Sequence, residues 1–170
     1  MRALSDSQRE MLLNELGGLR KFCFSLTGNG ADADDLLQMT VERVLEKGMP
    51  GDAHAAKWAY RVCKNAWVDE LRSREVRHKY LQLVGEQPDK APSAQQIASD
   101  EREIDAVSNA LAQLPTEQRL ALTLVAIEGK TYSEAAEILE VPVGTIMSRI
   151  ARARKQLVEI YSPSITEQEI

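Results

Sequence analysis

The order of residues between positions 131 and 161 constrains the fold more than any other part of the chain. Thr131 and Glu134 have the spacing of a capping box, in which each side chain accepts a hydrogen bond from the other residue's backbone N–H at a helix start. Two alanines follow in the short helix that this box opens, and small residues let a second helix cross closely. Pro142 then interrupts the chain, and proline is tolerated where a new helix starts. The sequence therefore predicts a short helix, a tight turn and a longer helix over residues 143–161.

The longer helix has two chemically different sides. One side, at steps of three and four residues, is predicted to face a core and consists of Val143, Ile146, Ile150, Ala153 and Leu157. Another side carries hydroxyl and cationic groups, from Thr145, Ser148, Arg149, Arg152 and Lys155. Such groups suit the phosphates and base edges of a DNA major groove. These features together favour a helix-turn-helix over an ordinary helical hairpin with a solvated basic side.

The rest of the chain also shows helical periodicity. Asp32 is a candidate cap for one further helix, and Pro115 separates two others. Only 5% of the residues are aromatic, so the core must be built mainly from aliphatic side chains. No segment resembles a β-strand, and the predicted fold class is all-α. The further helical segments lie at about residues 5–25, 32–45, 55–78, 104–114 and 116–128.

Glycine, proline and serine residues collect between about residues 83 and 99, where large apolar side chains are few. This composition is typical of a linker. The predicted organisation is two small helical domains, over residues 1–82 and 103–161. A flexible linker over residues 83–102 joins them, and residues 162–170 form a C-terminal tail.

The distribution of charge along the chain indicates more about DNA binding than the net charge does. The formal net charge of −5 opposes a protein that binds nucleic acid by itself, because neutralising phosphates drives such binding. Residues 51–80, however, hold seven lysines and arginines against four acids, and residues 149–155 hold four cationic residues and no acid. Two basic patches on an acidic body predict DNA binding with help from a partner.

Several classes of protein are disfavoured. Cys23 and Cys63 are too few for a disulfide framework and form no CxxC pair, so they are predicted to be reduced thiols at least partly buried in helices. With only two histidines, a metal site of the Cys/His kind is not expected. There is no phosphate-binding glycine motif and no nucleophile–histidine–acid set, so we predict neither catalytic residues nor an enzyme. No signal peptide or membrane-spanning run is recognisable, which predicts a cytoplasmic protein.

Two separate parts of the chain resemble one family. Residues 132–154, which hold the predicted helix-turn-helix, resemble region four of the extracytoplasmic-function (ECF) sigma factors, and residues 114–119 resemble the segment before it. Residues 26–28 and 32–38 resemble region two-point-two of that family. Residues 58–72 resemble regions two-point-three and two-point-four. The two motifs stand in the family's order and cover most of the chain apart from the linker and tail.

The resemblance implies a fold and a function. The fold would be two helical domains, sigma two and sigma four, without the long linking domain of housekeeping sigma factors. The protein would bind core RNA polymerase, place it on a promoter and start strand opening. Its partners would be the clamp helices of the largest polymerase subunit, the flap of the second-largest subunit, promoter DNA and an inhibitory anti-sigma factor. No cofactor is implied.

The resemblance also implies roles for particular residues. Core polymerase would be contacted by Asp34, Asp35 and Gln38. The minus-ten promoter element would be contacted by Trp58, Arg61, Lys64, Asn65 and Arg72. The minus-thirty-five element would be read or clamped by Thr145, Met147, Ser148, Arg149 and Arg152.

The chemistry of these residues is compatible with such roles, and plainer interpretations stand beside them. Melted DNA exposes bases that pockets and hydrogen bonds can hold, while cations follow the backbone. Trp58 and Trp67 are nine residues apart in one predicted helix, so at least one is expected in the core. Asp34 and Asp35 are also simply favourable near a helix N-terminus.

Three residues depart from the family's pattern. Met39 stands where glutamate is frequent, which changes part of the expected polymerase contact. Glu140 stands where glycine commonly makes the turn, which predicts a different or strained turn. Met147 replaces a frequent lysine, which predicts weaker phosphate attraction and a different sequence preference. The loop over residues 48–56 also lacks the aromatic residue that often helps the family hold a promoter base.

Two other functions remain open from the sequence. A conventional helix-turn-helix regulator would bind DNA as a dimer without polymerase, and it would need a dimerisation surface that no heptad pattern provides here. A sigma-like antagonist or scaffold would bind polymerase without driving transcription.

Overall fold

The computed structural model describes residues 3–85 and 99–161, and within these ranges all regular secondary structure is helical. This confirms the all-α fold class. A π-helical turn, Thr123–Ile127, directly follows the fifth α-helix. The described α-helices are α1 Asp6–Thr27, α2 Gly30–Lys47, α3 Ala55–Leu83, α4 Ser99–Ala112, α5 Thr116–Leu122, α6 Tyr132–Leu139 and α7 Val143–Tyr161.

Local caps explain where the first two helices begin and end. Ser5 and Gln8 form a capping box at the start of α1, and Gly28 ends this helix in the left-handed conformation, with φ 80°. Asn29 caps α2, because its side chain accepts a hydrogen bond from the backbone N–H of Asp32. The prediction that Asp32 caps this helix is therefore wrong: Asp32 supplies the donor in the first turn.

The first domain is a three-helix unit in which α1, α2 and α3 pack against one another. The rings of Phe22 on α1 and Tyr60 on α3 meet edge to face in its core, with their centroids 5.2 Å apart. α3 runs on to Leu83, beyond its predicted end near residue 78, and its last twelve residues, 72–83, are all exposed apart from the half-buried Leu81. The extension follows from good helix-forming residues that meet no breaker before Gly85.

The second domain contains the predicted helix-turn-helix. Thr131 Oγ1 accepts a hydrogen bond from the backbone N–H of Glu134, and the Glu134 carboxylate accepts one from the N–H of Thr131, so the capping box is confirmed. Ala135 and Ala136 are buried where α6 packs against α7. The sequence also predicted the bounds of α7 correctly.

Some details of the second domain differ from the expectation. Val143 is 39% exposed and does not belong to the core, because the inward side of α7 is set by Ile146, Ile150 and Ala153, and Val143 lies beyond its edge. α4 begins at Ser99, inside the predicted linker. Residues 86–98 of that linker and the tail over residues 162–170 lie outside the described residues.

The two domains pack against each other, which we call the closed arrangement. α6 contacts α3, and the π-helical turn contacts α1. Buried apolar side chains of both domains form a continuous cluster, to which Leu12 and Leu19 of α1 and Leu124 of the π-helical turn belong. The sequence predicted the two helical units but not this packing. No helix among the described residues is both long enough and apolar enough to cross a membrane.

Candidate functional site

The N-terminal half of α7 presents an exposed face that the protein interior holds in place. Ile146 is fully buried and Ile150 is nearly so, and they fix the helix against α5 and α6. The side that points outward, here called the α7 face, consists of Val143, Gly144, Met147, Ser148 and Ala151. The exposed Arg154 and Lys155 continue it one turn later, and the exposed Arg152 lies beside it.

Two predicted DNA contacts lie at the edge of this face rather than at its centre. Thr145 is half-buried. The side chain of Arg149 is only 18% exposed, and one of its terminal nitrogens lies 3.4 Å from the carboxylate of Glu117. Ser148 donates its hydroxyl hydrogen to the carbonyl oxygen of Gly144 at 2.9 Å, as serine often does within helices.

α3 carries a second cationic surface. The α3 surface consists of Lys57, Trp58, Arg61, Lys64 and Asn65, which recur at steps of three and four residues. Asn65 is exposed and the other four are half-buried. The guanidinium of Arg61 lies over the ring of Trp58, 5.7 Å from its centroid, which is a cation–π geometry. Arg72 is exposed two turns beyond Asn65, and Trp67 is buried in the core, as expected for one of the two tryptophans.

In the closed arrangement, the C-terminal end of α6 covers part of the α3 surface. Lys57 Nζ donates to the Glu137 carboxylate at 2.7 Å, and Arg61 donates to the backbone carbonyl of Glu137 at 2.7 Å. A second nitrogen of Arg61 lies 3.6 Å from the Glu140 carboxylate. The carbonyl groups at a helix C-terminus carry partial negative charge, so this end of α6 attracts cations through both backbone and side chains.

A partly buried polar cluster also joins the domains. Tyr60 donates its hydroxyl to Glu15 at 3.0 Å and lies 3.4 Å from Glu128, while Lys130 binds Glu15 at 2.9 Å. Lys130 also lies over the ring of Tyr60, 4.8 Å from its centroid. Burial raises the pKa of Tyr60 and that of Glu128 above their ordinary values, because it disfavours the charged forms.

Arg119 provides a third link between the domains. Its guanidinium donates to the backbone carbonyl of Ser25 near the end of α1, at 2.8 Å, and lies over the ring of Trp67 at 5.4 Å from the centroid. Burial lowers the pKa of Arg119, and its Nε has no hydrogen-bond partner among the described residues. A buried cation with an unpaired N–H group lowers the stability of the fold. Its presence therefore suggests that the link Arg119 makes between the domains has a role of its own.

The predicted polymerase contacts share an exposed side of α2, the acidic α2 face, which consists of Asp34, Asp35 and Gln38. Asp34 pairs with Arg20 at 3.0 Å, and Gln38 donates to Glu42 at 3.1 Å. A cleft of about 420 Å³ opens beside this face, between α1, α2 and α3. Asp35, Met39, Trp67 and Arg119 are among the residues that line it.

The two cysteines belong to the core. Cys23 and Cys63 are fully buried, with their sulfur atoms 3.5 Å apart, which confirms the prediction of buried reduced thiols. The hydrogen bond between them and their burial raise the pKa of the Cys23 thiol. A protonated, inaccessible thiol is a poor nucleophile and metal ligand. No group of metal-binding side chains is found among the described residues.

Comparison with known proteins gives the two domains a family. The family model described as Sigma-70 region 2 matches residues 12–77, and the model described as Sigma-70, region 4 matches residues 104–157. The ECF RNA polymerase sigma factor EcfG of Rhodopseudomonas palustris is 34% identical over 162 residues, which are 91% of this chain and 84% of that relative. The chain belongs to the ECF family of RNA polymerase sigma factors.

Other relatives of this sigma factor agree with that assignment. The ECF sigma factor SigE of Mycolicibacterium smegmatis is 34% identical over 160 residues, which are 91% of this chain and 62% of that protein. The sigma factor RpoE of Bartonella quintana, solved in complex with the anti-sigma factor NepR, superposes with a TM-score of 0.70 at 26% identity. That similarity covers 93% of this chain and 98% of RpoE. CnrH, solved with the cytosolic domain of CnrY, has the same fold, with a TM-score of 0.69 at 21% identity, over 92% of this chain and 88% of CnrH.

The predicted site residues of the sigma factor fall into three separate surfaces on α2, α3 and α7. What sequence reasoning missed is how α6 and α3 meet, which involves Lys57, Glu137 and Glu140, and the link that Arg119 makes. Arg119 ends the motif over residues 114–119, so its position was noticed but its role was not. Contacts between residues far apart in the chain leave no local pattern that periodicity or capping could reveal.

Proposed function

We propose that this sigma factor binds core RNA polymerase through the acidic α2 face and the cleft beside it, and binds promoter DNA through the α3 surface and the α7 face. On this proposal the clamp helices of the largest subunit meet α2, and the flap of the second-largest subunit meets the second domain. The upstream, minus-thirty-five element would meet α7, and the melted minus-ten element would meet α3.

The α7 face carries the proposal. A recognition helix must present its N-terminal residues to base edges while the rest of the domain holds it rigidly. α7 meets this need, because its residues Ile146 and Ile150 are buried against the rest of the domain. Its residues Gly144, Met147 and Ser148 are exposed. Arg152, Arg154 and Lys155 are exposed on and beside the same side, where DNA phosphates would lie.

The α3 surface supports contact with melted DNA. Trp58 offers a half-buried ring on which a base can stack, and Arg61 and Lys64 offer cations for the backbone. Asn65 is exposed and has both a donor and an acceptor for base edges. The interleaving of an aromatic ring, cations and an amide is what binding of single-stranded nucleic acid requires.

The closed arrangement has a consequence for this function. Lys57 and Arg61 are bound by α6, so their cationic groups are engaged within the protein. We infer that α6 must leave α3 before the α3 surface can hold a promoter. Core polymerase would bring this about by binding the two domains at separate sites. A ligand shifts an equilibrium toward the state that it binds better, and here that state is the one in which the domains are separated.

An anti-sigma factor is the expected inhibitor. The Bartonella quintana relative was solved with the anti-sigma factor NepR, and it matches this chain over nearly its whole length. We propose that a partner of this class binds the sigma factor and keeps the α3 surface and the α7 face from polymerase and promoter.

Variants of each surface test the proposal. Core polymerase is mixed with the full chain carrying Asp35→Ala, Asn65→Ala or Arg152→Ala, and polymerase binding, strand opening and transcription are measured. Asp35→Ala should weaken polymerase binding about ten-fold, the effect of losing one charged hydrogen bond. Asn65→Ala should leave binding intact and reduce strand opening. Arg152→Ala should weaken promoter binding and reduce the slope of log affinity against log salt by about one.

Matched controls come from α1. Glu10→Ala and Arg9→Ala remove one exposed acid and one exposed base that lie outside the three surfaces, and they should change none of these measurements. Equal losses in the controls, or polymerase binding that produces no transcript from any promoter, would contradict the proposal. The second result would favour a sigma-like antagonist.

A further inference from the structure

The centre of the α7 face is apolar, which is unusual for a helix that is to read DNA. Met147 is 53% exposed and Val143, one turn earlier, is 39% exposed. Ala151, one turn later, is also exposed. An exposed methionine and valine on neighbouring turns do not contribute to the core of this domain, and their adjacency makes the patch a candidate contact for something outside the domain.

Two of the hydrogen-bonding groups close to this centre, those of Ser148 and Arg149, are already engaged. Ser148 gives its hydroxyl hydrogen to the carbonyl of Gly144, and Arg149 is largely buried beside Glu117. The forked guanidinium contact that reads guanine from the major groove is therefore not offered at the first turns of α7. The exposed cations lie at the edge of the face or further along it, at Arg152, Arg154 and Lys155, where they suit phosphates rather than base edges.

Gly144 is a second, independent observation at the same place. Gly144 lies in the first turn of α7, and a Cβ added to it would meet no atom within 4 Å apart from the backbone of its own helix turn. Nothing inside the domain requires a glycine here. A glycine on the outer side of a recognition helix lets the backbone come close to a ligand.

We propose that Met147, flanked by Val143, is a specificity-determining residue that recognises the C5-methyl group of a thymine in the upstream promoter element. In the major groove this methyl is the one apolar group that a base pair presents, and apolar side chains recognise it. The absent side chain of Gly144 allows α7 to approach the base edges closely enough for that contact. This inference rests on the proposed function, since it assigns a base to the helix that the function places on DNA.

A protein partner is the competing occupant of the apolar centre. Duplex DNA is favoured because cations border the centre on its side and at its C-terminal end, and because the centre lies on the first turns of a helix-turn-helix recognition helix. A partner protein would bind the same patch without regard to methyl groups on DNA, so the two occupants can be told apart.

Deoxyuridine substitution tests the proposal directly. A promoter that the holoenzyme transcribes is prepared with each upstream thymine replaced in turn by deoxyuridine, which keeps base pairing and removes only the methyl group. Holoenzyme binding to each fragment is measured with the unchanged chain, with Met147→Ala and with Val158→Ala. Val158 is an exposed apolar residue later in α7 and serves as the matched control.

The expected result is one or two thymines at which deoxyuridine weakens binding about four-fold, the factor that burial of one methyl group gives. Met147→Ala should weaken binding to the thymine promoter by a similar factor and should abolish sensitivity to deoxyuridine at that position, while Val158→Ala leaves it intact. Gly144→Ala should weaken promoter binding without lowering the unfolding temperature.

Three results would overturn the inference. Either no thymine methyl affects binding, or the deoxyuridine effect persists in Met147→Ala. Met147→Ala that impairs binding of an anti-sigma factor but leaves promoter binding unchanged would overturn it too and assign the patch to a protein. A holoenzyme that transcribes from no promoter would instead contradict the proposed function, and it is recognised before any deoxyuridine is introduced.

Discussion

Glu140 shows at the scale of one residue how the turn and the interdomain contact are linked. It is the one non-glycine residue with positive φ in residues 3–85 and 99–161, at φ 57° and ψ 45°. This left-handed conformation costs a non-glycine residue about 1–2 kcal/mol. The carboxylate of Glu140 lies 3.6 Å from Arg61 of the α3 surface, a contact that glycine could not make. The strained turn expected from the sequence is thus confirmed, and the contact with Arg61 gives the glutamate a role.

Replacing Glu140 separates strain from charge. Glu140→Gly should raise the free energy of unfolding by about 1 kcal/mol, because glycine adopts the left-handed conformation without strain. Glu140→Ala keeps the strain and loses only an exposed ion pair, so its stability should fall slightly or stay unchanged. Both variants should bind single-stranded DNA more tightly at low salt, since Arg61 loses a competing anion.

Denaturant unfolding and a salt titration of DNA binding check both expectations. If the glycine variant is less stable than the alanine variant, the strain is not real. If neither variant binds DNA more tightly, Glu140 does not compete with DNA for Arg61.

At the scale of elements, the junction of α1, α3 and the π-helical turn destabilises the ionised form of one carboxyl group, that of Glu128. Nearby donors and cations do not fully offset the loss of its hydration. The pKa of Glu128 is raised by burial, and the hydrogen bond from Tyr60 and the charges of Lys21 and Lys130 offset this only in part. An acid whose folded-state pKa is raised favours the folded state when protonated. Its ionisation therefore costs stability as pH rises from its ordinary value of 4.5 through the raised value.

Glu128→Gln should remove this cost. At pH 7 the variant should unfold at a higher temperature than the unchanged chain, because the amide keeps an acceptor for Tyr60 and never ionises. Below pH 4.5, where Glu128 is protonated in both folded and unfolded chains, the difference should disappear. Thermal unfolding across this pH range checks the prediction. A variant that is less stable at pH 7 would mean that the attraction of Lys21 and Lys130 outweighs burial.

Element positions were largely predictable from the sequence, for physical reasons that are local. The capping box at Thr131, Pro142 and the three-and-four spacing of Ile146 and Ile150 specify the helix-turn-helix within one stretch of chain. Where two local solutions compete, the sequence misleads. Asn29 and Asp32 can both cap a helix, and the structure uses the first.

Whether Val143 faces the core or solvent could not be predicted from the fact that it is apolar. Apolar residues at helical spacing indicate a core, but an apolar residue that binds a partner follows the same spacing. The three site surfaces came from motifs in the sequence. The contact of Arg61 with Glu137 and Glu140 joins residues more than 70 positions apart, and only the folded chain shows it.

At the scale of the whole molecule, the closed arrangement and the charge distribution point the same way. The net charge of −5 and the engagement of Lys57 and Arg61 by α6 both oppose DNA binding by the sigma factor alone. Polymerase would supply affinity and separate the domains, while the α3 surface and the α7 face would select the promoter. An anti-sigma factor that stabilises the closed arrangement would oppose this opening.

Transcription by core bacterial RNA polymerase on a fragmented genomic library, with and without the full chain, tests the central claim most directly. We expect discrete start sites that require the chain, share an upstream and a downstream element at a fixed spacing, and weaken with Asp35→Ala and with Arg152→Ala. Start sites that are the same without the chain, or sequence-selective DNA binding by the chain alone with no affinity for polymerase, would contradict it.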